Sequence, residues 1–158
     1  MIINGSDLLQ RAPIKDMINE KRREHGVSWG LSEAGYDIRV KQDIYFDGET
    51  VWVDGLPQWG GFTIASAIEE FQMPHNLVGI VHDKSTWARQ GLSVFNTVVE
   101  NGWCGWLTLE LVYHGRKDLH IPAGAGIAQV VFHETSRFAS YDGKYQNQPD
   151  RPVEAIAR

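Results

Sequence analysis

Between residues 83 and 110 the chain reads DKSTWARQGLSVFNTVVENGWCGWLTLE, and five of its side chains could do chemistry: Lys84, Ser85, Arg89, Glu100 and Glu110. A lysine offers a point charge, an arginine a planar fork and a serine a small hydroxyl donor, a set that suits phosphate oxygens. On an exposed loop the same charges would simply be solvated, and the pattern alone leaves that alternative open. Glu110 lies in the run Leu107-Thr108-Leu109-Glu110-Leu111-Val112. Strand alternation puts Leu107, Leu109 and Leu111 on one face and Thr108, Glu110 and Val112 on the other. If that second face closes a pocket, partial desolvation raises the carboxyl pKa toward the range useful for proton transfer. If it is wet, Glu110 is an ordinary solvent carboxylate. Glu100 precedes the turn pair Asn101-Gly102, with Trp103 beside it. A carboxylate there suits a ribose hydroxyl, and it suits a hairpin end equally well.

Strands must position these groups. From about Gly30 onward, short alternating or apolar runs recur: Tyr36–Val40, Ile44–Phe46, Val51–Val53, Phe62–Ala65, Leu77–Val81, Leu92–Phe95, Trp106–Tyr113, Leu119–Ile121 and Ile127–Phe132. Gly and Pro punctuate them, and Asp47-Gly48 is a tight-turn signal. Such a series predicts a mainly β sandwich or barrel. Helical signals are confined to residues 6–24. Ser6 or Asp7 can cap a first short helix, Pro13 suits the first turn of a second, and Lys21 to His25 reads as a solvated helix end. Residues 136–158 are more polar and read as a tail that orders over a ligand or a neighbour, or as a plain disordered terminus.

Composition narrows the class. A chain of 158 residues suits one domain, with 1–28 as its N-terminal helical segment and 136–158 as a lid or tail. The formal net charge of −5 argues against a general nucleic-acid binder, which neutralises phosphates with Lys and Arg. There is no apolar run long enough to span a bilayer and no signal-peptide layout, so a cytoplasmic location is expected. Cys104 is the only cysteine, which excludes an internal disulfide and a cysteine zinc cluster. The six histidines lack HExxH spacing, and the H-x-E and P-C-x-x-C pair of zinc nucleobase deaminases is missing. Any deamination here would therefore run without zinc. The six tryptophans are expected in core and subunit contacts rather than in a site.

Four blocks, in order, resemble the dCTP deaminase branch of the trimeric dUTPase superfamily. They are Ala34-Gly35-Tyr36-Asp37-Ile38-Arg39, the stretch from Lys84 to Leu92, Glu100 to Gly105 running into Leu107–Glu110, and Gly126-Ile127-Ala128-Gln129. A fifth, Lys144-Tyr145-Gln146-Asn147-Gln148, resembles the deaminase tail rather than the glycine-rich tail of dUTPases. The resemblance implies a dUTPase-like distorted β-barrel, β-clip or jelly-roll-like, assembled as a homotrimer with sites between subunits. It implies hydrolysis of dCTP to dUTP and ammonia, with Glu110 as general acid/base and Arg89 and Ser85 as its supports. Lys84, Ser85 and Thr86 would hold the triphosphate, normally with Mg²⁺ on the phosphates. Glu100 would contact the deoxyribose, Thr108, Leu109 and Glu110 would read the base, and Gln129, Tyr141, Lys144 and Gln148 would close over the phosphates.

Two residues depart from the family pattern. Lys84 stands where Arg is usual, which keeps the charge but loses bidentate geometry. Glu100 stands where Asp is usual, which weakens the case for an added diphosphatase activity. The segment Phe95–Val99 is also short, which leaves the substrate open among dCTP, dUTP, dCMP and a modified nucleotide. Three readings follow: a dCTP deaminase, a dUTP diphosphatase or bifunctional enzyme giving dUMP, and a nucleotide-binding protein with altered chemistry.

Overall fold

A computed structural model describes residues 1–157, so of the expected tail only Arg158 lies outside the described residues. The chain opens with β1 (Ile2–Ile3) and one helix, α1 (Gly5–Arg11), which buries Leu8. Neither Ser6 nor Asp7 caps it; Asn4 takes the N-cap position without a side-chain bond. The helix stops at Ala12, in the left-handed region at φ 46°, whose N–H donates to the Leu8 carbonyl.

No second helix follows Pro13. Residues 13–15 instead extend a sheet: Gln72 N–H donates to Pro13 O at 2.8 Å, Lys15 N–H donates to Glu70 O at 2.9 Å, and Ile14 bridges antiparallel to Phe71. Ile14 is 1% exposed, so burial of that side chain wins over local helical preference. The basic run expected at a helix end is likewise a strand, β2 (Lys21–Glu24), paired with β3 (Val27–Leu31). His25 and Gly26 join them with φ of 52° and 76°, the doubly positive geometry of a tight hairpin turn.

The remaining strands are β4 (Tyr36–Arg39), β5 (Ile44–Phe46), β6 (Thr50–Val53), β7 (Leu56–Trp59), β8 (Phe62–Gln72) and β9 (Leu77–Asp83). After one short helical turn, α2 (Ser85–Ala88), come β10 (Leu92–Val94), β11 (Val98–Val99), β12 (Cys104–Tyr113), β13 (Leu119–Ile121) and β14 (Gly126–Glu134). A seven-stranded sheet runs β11-β9-β14-β4-β3-β2, with β1 added on β14. A three-stranded sheet runs β10-β12-β8, and a four-stranded one β13-β5-β6-β7. The sheets do not close into a continuous barrel; they form a distorted β-sandwich, the mainly β architecture expected. One core joins them, with Ile38 and Val130 from the first sheet, Phe71 and Leu109 from the second, and Ile44 and Phe46 from the third.

An irregularity in β8 ties the layers together. Trp106 pairs with Glu70 but Thr108 pairs with Ser66, so β8 spends more residues than β12 between those points. The extra length lets Ala67 bridge Val40 and turns Glu69 inward. Glu69 accepts from the Arg39 backbone N–H and from Arg39 Nε, both at 2.9 Å, while the Arg39 guanidinium sits 3.8 Å from the Trp29 ring centroid. Burial pushes the Glu69 carboxyl pKa up, and the Arg39 bonds pull it back down.

Candidate functional site

Glu110 sits on the central strand of the three-stranded sheet, opposite Ile64 of β8, and its carbonyl accepts from Phe95 N–H at 3.0 Å just beyond β10. Its side chain is half-buried, and Oε2 is buried without a hydrogen-bond partner among the described residues. Desolvation raises its pKa above the ordinary carboxylate value. The pocket-facing alternative is therefore the one the fold adopts.

The carboxyl faces a cavity of about 610 Å³ whose lining includes Glu100, Thr108, Tyr141 and Gln148 alongside Glu110. Those five predicted site residues meet there although they come from β12, from the turn before it and from the C-terminal segment. The Thr108 hydroxyl donates to Gln148 Oε1 at 3.1 Å. Leu107 also lines the cavity, which simple alternation with Leu109 and Leu111 does not give. The β8 irregularity lies opposite it, between Trp106 and Thr108. Leu109 is 1% exposed in the core, so it can meet a ligand only through its backbone.

The predicted phosphate group lies elsewhere. Ser85, Thr86 and Arg89 are exposed on and just after α2, where Arg89 Nε donates to Ser85 Oγ at 3.0 Å, and none of them lines the Glu110 cavity. Lys84, expected either on a phosphate or on an exposed loop, is instead shielded from solvent. Its Nζ is 2.6 Å from Asp37 Oδ2 and donates to Ser28 Oγ at 3.1 Å, with the Lys84 side chain 10% exposed. Gln129 joins the same network, donating from Nε2 to Asp37 Oδ1 at 3.1 Å and to Ser32 Oγ at 2.7 Å. Lys144 reaches back along the tail to the Ile156 carbonyl.

Among the described residues the cavity lining contains three carboxylates, Glu100, Glu110 and Glu154, and no Lys, Arg or His. It suits a neutral, hydrogen-bonding ring and sugar and repels a polyphosphate. Among the described residues no group of three or more His, Cys, Asp or Glu is placed to hold a metal ion. Sequence reasoning missed Gln58 and Thr63, which also line the cavity; buried Thr63 donates to Gln58 Oε1 at 3.1 Å and fixes the amide. The Gly55 and Pro57 that precede Gln58 read as turn residues, whereas β7 runs through Pro57. Tyr145 and Glu154 were missed too, because nothing local in a polar tail says which sheet it returns to.

A dCTP deaminase-like family model matches residues 56–135, just over half of the chain. The chain belongs to the dCTP deaminase-like family. A dCTP deaminase of Roseiflexus castenholzii is 34% identical over 85% of this chain and 86% of its own length. One from Chlamydia pneumoniae is 33% identical, covering 88% and 85%, and one from Acidobacterium capsulatum is 31% identical, covering 94% and 96%. The fold is that of dUTPases. The native EIAV dUTPase superposes with a TM-score of 0.55 at 21% identity, over 85% of this chain and 93% of that one. A mutant dUTPase from phage phi11 of S. aureus, described with a structural Mg(II) ion, gives 0.54 at 13% identity, over 85% and 96%.

Proposed function

We propose that this protein deaminates dCTP to dUTP and ammonia in pyrimidine deoxynucleotide metabolism, with Glu110 as general acid/base and without zinc. The observation that carries the reading is the half-buried Glu110 carboxyl, one oxygen unpartnered among the described residues, facing a cavity large enough for a nucleoside. In its ionised form Glu110 takes a proton from water as the hydroxide oxygen bonds to C4 of cytosine, and the proton passes to the ring N3. The proton of the new C4 hydroxyl then passes through Glu110 to the exocyclic nitrogen, leaving the C4 carbonyl. The C4–N4 bond then breaks, ammonia leaves, and uracil remains. The raised pKa supports this, because a carboxyl that both accepts and returns a proton works best with its pKa nearer the working pH.

Thr108 and the Leu109 backbone would read the base, Glu100 would hold the deoxyribose, and Tyr141 and Gln148 would cover the ligand. The triphosphate needs cations that this cavity lacks. Arg89 of a neighbouring copy would supply the charge, with the Ser85 and Thr86 hydroxyls as further donors, which supports a homotrimer with shared sites. Lys84 and Gln129 would act by shaping that phosphate-binding segment through Asp37, and Lys144 by holding the tail. Mg²⁺ would arrive on the triphosphate. The carboxylates next to the basic segment fit that role, since Asp37 is taken by Lys84 and Asp83 accepts from Val94 N–H at 2.6 Å. Bound there, Mg²⁺ supplies charge neutralisation to the phosphates. A lone cysteine suits a reducing compartment such as the cytoplasm.

The second reading is dUTP diphosphatase, alone or after deamination, favoured by the presence of Glu100 in the same cavity. Incubation with dCTP and, separately, with dUTP, each with Mg²⁺ and following ammonia and pyrophosphate together, separates them, since pyrophosphate from dUTP alone marks a diphosphatase. Ammonia alone supports the deaminase, and pyrophosphate as well supports the bifunctional enzyme. Glu110→Gln should keep nucleotide binding and lose about 100-fold or more of turnover, the usual worth of a general acid/base. Unchanged turnover overturns the mechanism, and tight binding with no product from the native chain points to a binding protein with altered chemistry.

A further inference from the structure

Strand β2 carries two arginines in succession and uses them differently. Opposite residues of an antiparallel pair share a face, so Arg22 lies with Trp29 on one side of the β2–β3 hairpin and Arg23 with Ser28 on the other. Arg22 is committed to structure: its guanidinium sits 5.7 Å from the Trp29 ring centroid, and its Nε donates to Glu20 Oε1 at 2.8 Å. Lys21 is paired with Glu33 at 2.7 Å. Arg23 is exposed and, among the described residues, has no ion-pair or side-chain hydrogen-bond partner.

The face that Arg23 shares leads to the basic segment. Ser28 Oγ accepts from Lys84 Nζ and donates to Asp37 Oδ2, both at 3.1 Å. A Cβ on Gly126 would collide with the Ser28 carbonyl and meet Lys84 Cε at 3.5 Å, so these three residues pack in direct contact. The Gly126 carbonyl in turn accepts from Trp87 Nε1 of α2 at 2.6 Å. At the hairpin tip, His25 Nε2 stands 3.9 Å from where a Cβ on Gly124 would be, just before β14. The hairpin, the start of β14 and α2 are one packed unit, and Arg23 stands on its flank.

We propose that Arg23 is a phosphate-binding residue of the nucleotide site, supplying a second cation beside Arg89. The inference rests on the reading of Ser85, Thr86 and Arg89 as the phosphate segment. That segment is short of charge. Lys84 is 10% exposed and spends its ammonium on Asp37 at 2.6 Å, which among the described residues leaves Arg89 as the cation of 84–89 open to a ligand. A triphosphate carries several negative charges, and an arginine fork meets phosphate oxygens in pairs. Directly opposite side chains start about 5 Å apart at Cβ, less than the length of an arginine side chain, so the Arg23 guanidinium has the reach to pass Ser28 toward a phosphate beside α2. Arg23 and Arg89 belong to one chain, so together they would serve the Glu110 cavity of the next.

The test is nucleotide binding by the full chain in the presence of Mg²⁺. In Glu110→Gln, which should hold dCTP without turning it over, adding Arg23→Gln should raise Kd for dCTP about 10-fold, the worth of one charged hydrogen-bonded contact, and leave Kd for deoxycytidine within about 2-fold. Adding Arg23→Lys instead should recover part of the loss, because the charge returns without the fork. Arg22→Gln removes the same charge from the other face and should leave both constants unchanged. With Glu110 intact, Arg23→Gln should raise KM for dCTP by the same factor, with kcat unchanged. A dCTP constant that Arg23→Gln does not move makes Arg23 a plain sheet-edge charge and overturns the proposal. So does equal weakening by Arg22→Gln, or equal weakening of dCTP and deoxycytidine. Failure of the functional reading has its own signature: with Arg23 in place the chain binds no dCTP and releases no ammonia from it, and the proposal falls with that reading.

Discussion

Burial raises the pKa of two carboxyls in this protein, the buried Glu69 and the half-buried Glu110, and they keep different company. Glu69 has both oxygens engaged by Arg39, whereas Glu110 Oε2 has no partner among the described residues. The difference has a thermodynamic consequence. With its pKa raised in the folded state, Glu110 binds a proton more tightly folded than unfolded. Its favourable contribution is fully present below the unfolded carboxyl pKa and is lost as pH rises through the folded one. Glu110→Gln should therefore raise Tm at neutral pH by about 2 °C, and the gain should vanish as pH falls below about 4. Thermal melts of the two proteins across pH 3.5 to 8 check this; a gain that grows toward acid pH would mean the carboxylate is stabilised by a contact. Alternation made the placement of Glu110 readable, because a carboxylate among leucines needed a polar face to point at. Lys84 was not readable in the same way. A lysine in a basic run looks identical whether it meets a phosphate or an aspartate 47 residues earlier in the chain.

That lysine links two elements, β4 and the loop leading into α2, and the linkage is nearly dry. Removing one partner of a buried ion pair leaves the other charge uncompensated, which costs about 3–5 kcal/mol, whereas replacing both by apolar groups is far milder. Lys84→Met should lose about 3 kcal/mol in urea unfolding, and Lys84→Met with Asp37→Leu should recover much of it. Equal loss in the double variant would place the stability in Ser28 and Gln129 rather than in the charge pair. The tail is attached to β12 by a different device. Gly105 has φ +128°, and a Cβ there would meet Gln148 N at 2.6 Å, so the parallel bridge between these residues depends on glycine. Gly105→Ala should free the amides of Trp106 and Asn147 for faster hydrogen exchange while exchange in β9 and β14 stays unchanged. The strand that alternates cleanly, β5, and the long apolar run of β12 were legible from sequence. Strand β2 was not, since all four of its residues are exposed and its pairing with β3 leaves no apolar period to read. The extended path at Pro13–Lys15 escaped for the opposite reason: helix-like spacing of Ile14, Met17 and Ile18 conceals pairing with Phe71 and Glu70, far away in sequence.

At the scale of the whole molecule, the separation of charge is the fact that any mechanism must accommodate. Among the described residues the cavity holding Glu110 has only carboxylates as charged groups, while Arg89 and Ser85 stand exposed outside its lining. Around the mouth of that cavity, Phe62 is 49% exposed and Val98 50%, and Phe95, 48% exposed, packs on Phe62 with ring centroids 6.2 Å apart. Apolar side chains left open beside an incomplete site are what a contact with another copy would cover. On the proposed reading, each site takes its general acid/base from one chain and its phosphate-side cation from the next. Glu110→Gln and Arg89→Ala chains should each be inactive alone. When they are mixed in equal amounts, unfolded and refolded together, a site works only if its Glu110 comes from the Arg89→Ala chain and its Arg89 from the Glu110→Gln chain. Random assortment gives that combination at about one site in four, so the mixture should recover about a quarter of native activity. Recovery only after co-refolding, and not after brief mixing of folded proteins, would tie it to subunit exchange. Activity that stays at the level of the separate variants would put Glu110 and Arg89 to work in the same chain or would remove Arg89 from the site.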